Sequence, residues 1–78
     1  MIISVMSQNP TPITLTINGE AMQANQGSTL ADLVARMELD IRKLAVERNL
    51  EIVPRSQYAV TVLQAGDRLE IVHFVGGG

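Results

Sequence analysis

With 78 residues, the chain is long enough for one domain with one small apolar core. Cysteine is absent, which excludes a disulfide framework, a thiolate metal site and a nucleophilic thiol on this chain. The formal net charge is -2 with both signs spread along the sequence, and no apolar run is long enough for a signal peptide or a membrane span. We therefore expect a soluble cytoplasmic protein that binds neither nucleic acid nor a membrane.

The beginning of the sequence predicts an extension followed by a β-hairpin. Residues 1–12 include a polar stretch with two prolines, so we interpret them as an N-terminal extension that need not be ordered. Residues 13–17 alternate apolar and polar side chains, Asn18 and Gly19 follow, and residues 21–24 continue the extended pattern. Because Asn-Gly readily adopts positive φ angles, this pattern predicts two strands joined by a tight turn.

An amphipathic helix is predicted after the hairpin. Its apolar stripe has the i, i+3, i+4, i+7 spacing of one helical face and consists of Leu30, Leu33, Val34 and Met37. Ser28 or Thr29 can cap the N-terminus by accepting hydrogen bonds from free backbone N–H groups, and Asp32 suits the positive end of the helix dipole. We expect the stripe to pack in the core.

The remaining residues predict short extended segments separated by turns. Asn49 can end the first of these segments, and a turn at Gly66 and Asp67 precedes the last. In chain order, we predict a strand at 44–48, a short extended piece at 51–53, an irregular or helical turn at 54–58, a brief strand or connection at 60–62, and a closing strand at 68–75.

The order of these elements predicts the fold. One helix and a set of strands bury their apolar faces best when the helix packs on one side of a single sheet. Strands that precede and follow a single crossing helix are expected to lie side by side in a mixed sheet. We therefore predict an α+β fold in which residues 13–75 form a β-grasp domain, with one helix on a mixed four- to five-stranded sheet. Residues 76–78 would leave from the end of a central strand.

The sequence ends in a tail of glycines, Gly76, Gly77 and Gly78, directly after the predicted closing strand. A backbone without Cβ atoms lets another protein close around it from every side. The pattern therefore favours a flexible tail that threads into a narrow channel and presents its α-carboxylate. The alternative is an end without function, or a remnant of cloning.

In combination, the motifs resemble the ThiS family, the small sulfur carrier proteins of thiamine biosynthesis, which have a ubiquitin-like β-grasp fold. The resemblance spans about residues 13–78, and residues 1–12 extend beyond it. It rests on Asn-Gly-Glu at 18–20, Val-Glu-Arg-Asn at 46–49, Ile-Val-Pro-Arg-Ser-Gln-Tyr at 52–58, Gly-Asp-Arg-Leu-Glu-Ile-Val at 66–72 and Phe-Val-Gly-Gly-Gly at 74–78.

The resemblance implies a chemical cycle at the C-terminus. A ThiF-type adenylating enzyme would use ATP and magnesium to convert the Gly78 carboxylate to an acyl-adenylate, and sulfur from the persulfide of a cysteine desulfurase would then give a thiocarboxylate. A ThiG-type thiazole synthase would take this sulfur for the thiazole ring, while Gly76 and Gly77 allow passage through a narrow slot. The chain itself would bind no cofactor or metal, and it would be a protein cosubstrate, not an enzyme.

Four further residues are candidates for partner docking. By strand alternation, one of Phe74 and Val75 packs in the core and the other contributes to an apolar patch on the open face, and the sequence leaves open which. Arg55 and Arg68 are candidates for ion pairs with acidic groups of the adenylating enzyme, the alternative being solvated surface arginines. His73, the single histidine, has no evident nucleophile or ligand partner, so we assign it no catalytic role.

Three other functions are compatible with the same fold. The small subunit of molybdopterin synthase uses the same tail chemistry, although the segment at 53–56 favours the thiamine carriers. A ubiquitin-like protein modifier would form an isopeptide bond through Gly78, but Lys43 is the only lysine, so the chain offers few acceptor sites for polymers. The third is a β-grasp binding module whose tail is inert.

Overall fold

The computed structural model describes residues 11–74, and these residues form five strands and one α-helix. The strands are β1 (Pro12–Ile17), β2 (Glu20–Asn25), β3 (Leu44–Arg48), β4 (Glu51–Val53) and β5 (Arg68–His73), and the helix is α1 (Leu30–Arg36). Two short 3-10 helices lie at Ile41–Lys43 and Arg55–Gln57. Residues 1–10 of the predicted extension lie outside the described residues, as do Val75 and the glycine tail.

The strands form one mixed sheet in the order β2-β1-β5-β3-β4. The central strand β5 pairs in parallel with β1 and antiparallel with β3, whereas the outer pairs β1-β2 and β3-β4 are antiparallel hairpins. The predicted α+β fold, with one helix on a mixed sheet and with the first and last strands side by side, is confirmed. Because β5 is central, the chain leaves the sheet from its middle, at Phe74.

Two-residue turns close both hairpins. Asn18 (φ 51°) and Gly19 (φ 85°) join β1 to β2, as the Asn-Gly pair predicts. Asn49 (φ 53°) and Leu50 (φ 74°) join β3 to β4 in the same way, although glycine is the usual residue at the second position. The sequence predicted that Asn49 ends a strand, but it did not predict a turn through a leucine.

A capping box fixes the start of α1 and decides between the two candidate caps. The Thr29 Oγ1 accepts a hydrogen bond from the Asp32 N–H at 3.1 Å, and the Asp32 Oδ2 accepts one from the Thr29 N–H at 2.9 Å. Thr29 is therefore the N-cap. Near the other end of α1, the Arg36 guanidinium donates to the Gln23 carbonyl of the edge strand β2, which attaches the helix to the sheet.

The core lies between α1 and one face of the sheet. Leu30, Leu33 and Val34 of α1 are buried as predicted, and Met37 is partly buried. They pack with buried residues from the strands and from the connection before β5, namely Leu15, Ile17, Leu44, Val46, Tyr58, Leu63, Leu69 and Ile71. Residues 60–62 form part of this connection instead of a strand. Among residues 11–74, no element covers the opposite face of the sheet, which we call the open face.

Candidate functional site

The end of β5 places Phe74 on the open face. Leu69 and Ile71 point into the core, whereas Val72 is 55% exposed and Phe74 is 50% exposed. Phe74 continues the pairing with β3 by one residue, because its N–H donates to the Lys43 carbonyl at 2.8 Å. The structure therefore assigns Phe74 to the open face, and Val75 lies outside the described residues.

An apolar patch on the open face leads to Phe74. We define it by four side chains of β3, β4 and the end of β5, which are Ala45, Ile52, Val72 and Phe74. Ala45 and Val72 are cross-strand partners, and Ile52, which is 66% exposed, pairs with Glu47 in the next row. Exposed apolar side chains that are grouped in this way are typical of protein interaction sites. That a partner covers this patch stays a prediction.

The two candidate docking arginines lie at opposite ends of β5. Arg55 follows β4, and its Nη2 donates to the Arg42 carbonyl at 3.1 Å, near the end of the sheet where the chain leaves at Phe74. Arg68 begins β5 and is paired through its backbone with Asn49. At about 3.3 Å per residue, the two ends of this strand are about 17 Å apart. A contact of either arginine with a partner stays a prediction, and only Arg55 is near the exit of the tail.

The exit of the tail carries positive charge. The Arg42 guanidinium forms a two-point ion pair with Asp40, with N–O distances of 3.1 and 3.0 Å. Hydrogen bonds from the Arg42 side chain, and then from its backbone, lower the pKa of Asp40 to about 2, so this pair is charged at neutral pH. Within the described part of the chain, Lys43 and Arg55 form no ion pair. These two cations therefore remain available to an acidic partner surface.

At the opposite end of β5, the buried carboxylate of Asp67 joins two turns. Its oxygens accept hydrogen bonds from the Arg48 Nε at 2.8 Å, the Gln64 N–H at 2.8 Å and the Asn49 Nδ2 at 3.1 Å. Burial alone would raise the pKa of Asp67, but these donors outweigh it and hold the pKa below its usual range. The sequence pattern predicts Asp67 as a turn residue only. The available signal was that Arg48, Asn49 and Asp67 all belong to the motifs of the resemblance.

Asn18 extends the pairing between β1 and β5 with its side chain. Its Oδ1 accepts from the Ile71 N–H at 2.8 Å, and its Nδ2 donates to the Ile71 carbonyl at 3.1 Å. Its own backbone N–H donates to the Leu69 carbonyl at 2.9 Å. The amide thus replaces one residue of a neighbouring strand where β1 turns away. The Asn-Gly pattern predicts the turn at Asn18 but not this second role.

Nowhere in residues 11–74 do three His, Cys, Asp or Glu side chains gather closely enough to hold a metal ion. Over the same range, no helix has the length and apolar character needed to cross a membrane.

Comparisons with known proteins cover both the folded part and the tail. A model of the ThiS family matches residues 15–78. The sulfur carrier protein ThiS of Bacillus subtilis is 40% identical over 65 residues, which are 82% of this chain and 98% of that protein. The crystal structure of the thiamine biosynthesis protein ThiS from Geobacter metallireducens is similar with a TM-score of 0.72 at 26% identity, covering 85% of this chain and 100% of that one.

A second group of relatives consists of much longer proteins. The thiazole synthase of Paramagnetospirillum magneticum is 52% identical over 64 residues, which are 82% of this chain but 20% of the synthase. That of Magnetococcus marinus is 45% identical over 62 residues, which are 80% of this chain and 19% of the synthase. The chain thus spans about a fifth of the length of these relatives. In each of them, a segment similar to this chain is part of a polypeptide named thiazole synthase.

Proposed function

Because the chain belongs to the ThiS family, we propose that it is a sulfur carrier protein whose Gly78 carboxylate is converted to a thiocarboxylate for thiazole formation in thiamine biosynthesis. The observation that carries the proposal is the family match, which includes the glycine tail as far as residue 78. The fold supports it, because the tail follows the end of the central strand, where a rigid sheet can aim it.

The proposed reaction proceeds through an activated carboxyl group. A carboxylate is a poor electrophile, so a Gly78 oxygen first attacks the α-phosphate of ATP and pyrophosphate leaves. The terminal sulfur of a persulfide then attacks the acyl carbon, AMP leaves with the oxygen, and a thiol reductant cleaves the resulting acyl disulfide. ATP and magnesium bind to the ThiF-type adenylating enzyme, and this chain is its substrate.

The length of the tail limits where the partner can lie. Gly78 is four residues beyond Phe74, and an extended backbone spans at most about 3.6 Å per residue, or about 14 Å in total. An active site that takes up Gly78 therefore lies within this distance of Phe74, and the protein around it must cover the apolar patch. In this proposal, Phe74 and Val75 dock the partner, and Lys43 and Arg55 face acidic groups at the rim.

The relatives support thiazole synthase as the protein that receives the sulfur. Two thiazole synthases contain a segment similar to this chain within one polypeptide, which favours a ThiG-type synthase as a direct partner. The adenylating enzyme and the cysteine desulfurase complete the proposed cycle.

Intact-protein mass spectrometry tests the proposal. The chain is incubated with ATP, magnesium, a ThiF-type enzyme, a cysteine desulfurase and cysteine, with a thiol reductant present. We expect the mass increase of one oxygen replaced by sulfur, localised to Gly78, and no increase in a variant that lacks Gly78. No shift with an enzyme that loads another ThiS protein would contradict the proposal. Covalent adducts on lysines of other proteins would instead favour a modifier, and sulfur transfer to a molybdopterin precursor would favour the rival carrier function.

A further inference from the structure

The end of β5 is paired along one edge and open along the other. Successive residues of a strand direct their N–H and C=O groups to alternate sides. At the β3 side, the Arg68 carbonyl accepts from the Asn49 N–H, and the Phe74 N–H donates to the Lys43 carbonyl. At the β1 side, the Leu69 carbonyl accepts from the Asn18 N–H. Odd-numbered residues of β5 therefore face β1.

The β1 side of β5 loses its neighbour before the strand ends. The backbone pairing with β1 ends at Leu69, because the chain turns away at Asn18. Beyond it, the Asn18 side-chain amide forms hydrogen bonds with the N–H and the C=O of Ile71. His73 is the next residue whose N–H and C=O face this side. Within residues 11–74, nothing forms a hydrogen bond with the His73 backbone there, and His73 is exposed.

We propose that this open edge at His73 binds an extended segment of thiazole synthase by β-strand addition while the synthase holds the tail. The inference rests on the proposed function and adds the mode of recognition. In such an arrangement, the synthase segment accepts from the His73 N–H and donates to the His73 carbonyl, so that the carrier sheet gains one short strand.

Three observations favour this occupant. The edge is one residue before Phe74, and so lies within the reach of about 14 Å that limits the active site of any enzyme that holds Gly78. The thiazole synthases with a segment similar to this chain link the two proteins in one polypeptide. Glycines offer no side chains for recognition, so backbone hydrogen bonds beside the tail supply binding energy that the tail lacks.

The energetic cost of this addition is small. The Phe74 N–H bond to Lys43 already holds the end of β5 extended on its other side. The partner strand therefore pairs with an ordered backbone, and little conformational entropy of the carrier is lost on binding.

Amide hydrogen exchange measured by NMR tests the proposal directly. The His73 amide should exchange rapidly in the free protein and at least about tenfold more slowly in a complex saturated with thiazole synthase. The Asn49 amide, which donates to the Arg68 carbonyl at the opposite end of β5, is the internal reference. Slow exchange of His73 in the free protein would overturn the proposal, because the edge would already be occupied. Unchanged exchange in the saturated complex, or protection by the adenylating enzyme alone, would overturn it as well.

A pair of proline variants provides a second test. His73→Pro removes an N–H that makes no hydrogen bond within residues 11–74, and Ala21→Pro does the same on the outer edge of β2. We expect His73→Pro to weaken binding of the synthase at least about tenfold, and Ala21→Pro to leave it unchanged. Equal affinities of the two variants would overturn the proposal. If His73→Pro does not fold, the exchange measurement decides. These affinities are measured with carrier that bears no sulfur. A failure to form the thiocarboxylate would therefore contradict the proposed sulfur-carrier function but would leave the strand-addition proposal undecided.

Discussion

The two ends of the central strand are built differently. At its start, the Asp67 carboxylate, the Asn49 amide and the Arg48 guanidinium tie the strand to the β3–β4 turn. At its end, one edge is held by Lys43, the other edge has no backbone partner at His73 within residues 11–74, and Phe74 is half exposed. Side-chain interactions thus fix the strand at the end away from the tail. Among the described residues, the end that leads to the tail leaves the His73 backbone and the apolar side chains of the open face exposed.

Changes at the tail should have the largest functional effect and almost no effect on stability. We expect deletion of Gly78, or Gly77→Leu, to abolish sulfur loading. The deletion removes the reacting carboxylate, and the leucine side chain would not fit the narrow passage of the partner. The melting temperature should stay within about 1 °C, since a terminal tail contributes few buried contacts. Mass spectrometry and thermal unfolding of the same samples check both parts.

The opposite result would change the interpretation of the tail. A variant that unfolds at a clearly lower temperature would show that the glycines belong to the folded structure, and a Gly78 deletion that still gains sulfur would place the chemistry elsewhere.

Side-chain truncations on the two faces of β5 distinguish residues that stabilise the core from residues that bind a partner. Leu69 is fully buried, so Leu69→Ala should lower the free energy of unfolding by about 2–5 kcal/mol through the cavity that it leaves. Val72→Ala, on the open face, should cost less than about 1 kcal/mol but weaken binding of the synthase. Urea unfolding and a binding titration measure the two effects. Loss of stability with Val72→Ala as large as with Leu69→Ala would disprove the assignment of Val72 to a docking surface.

Removal of the buried carboxylate should have an intermediate effect that depends on pH. In Asp67→Asn, the new side-chain amide N–H group would face the Arg48 and Gln64 donors. We expect the free energy of unfolding to fall by about 1–3 kcal/mol at pH 7. Because the folded pKa of Asp67 lies below the unfolded value of about 3.9, its ionisation stabilises the protein above that pH. This contribution is lost as the pH falls through the folded pKa, so the difference between wild type and variant should shrink below about pH 4.

The exposed ion pair provides the control for the buried carboxylate. Asp40→Asn removes the partner of Arg42 on the surface and should change stability at pH 7 less than Asp67→Asn does. A stability difference between wild type and Asp67→Asn that stays constant from pH 7 to the acid transition would contradict the role assigned to Asp67.

The smallest expected effect lies in the β3–β4 turn. Leu50 is 90% exposed at a φ of 74°, where a residue with a Cβ is strained. Leu50→Gly should therefore raise the free energy of unfolding by up to about 1 kcal/mol, since strain is relieved and no packing is lost. Gly19→Ala, at a φ of 85°, is the matched reverse change and should destabilise the protein. Destabilisation by Leu50→Gly would show that the leucine packs in a way that its exposure does not indicate.

The sequence predicted those parts of the fold that depend on local chemistry. The first hairpin, the helix with its cap and the closing strand were predicted, because alternation, periodicity and an Asn-Gly pair act over a few residues. The second turn was missed, because leucine replaces the expected glycine at position 50. The contact of Asn18 with Ile71 joins residues 53 positions apart, so only the register of β1 and β5 reveals it.

The candidate site was predicted only in part for the same reason. The glycines and Phe74 are recognisable by residue type and position. The separation of Arg55 from Arg68, and the open edge at His73, follow from the strand order and hydrogen-bond register, which no local pattern contains.

The position of β5 also makes folding depend on the last of the described strands to be synthesised. This strand is the link between the β1–β2 and β3–β4 hairpins, and among the described strands the ribosome makes it last. A nascent chain interrupted before Arg68 consists of two hairpins and a helix without the strand that joins them, so its sheet cannot form cooperatively. Premature termination before Arg68 should therefore leave a fragment that does not fold and is open to proteolysis.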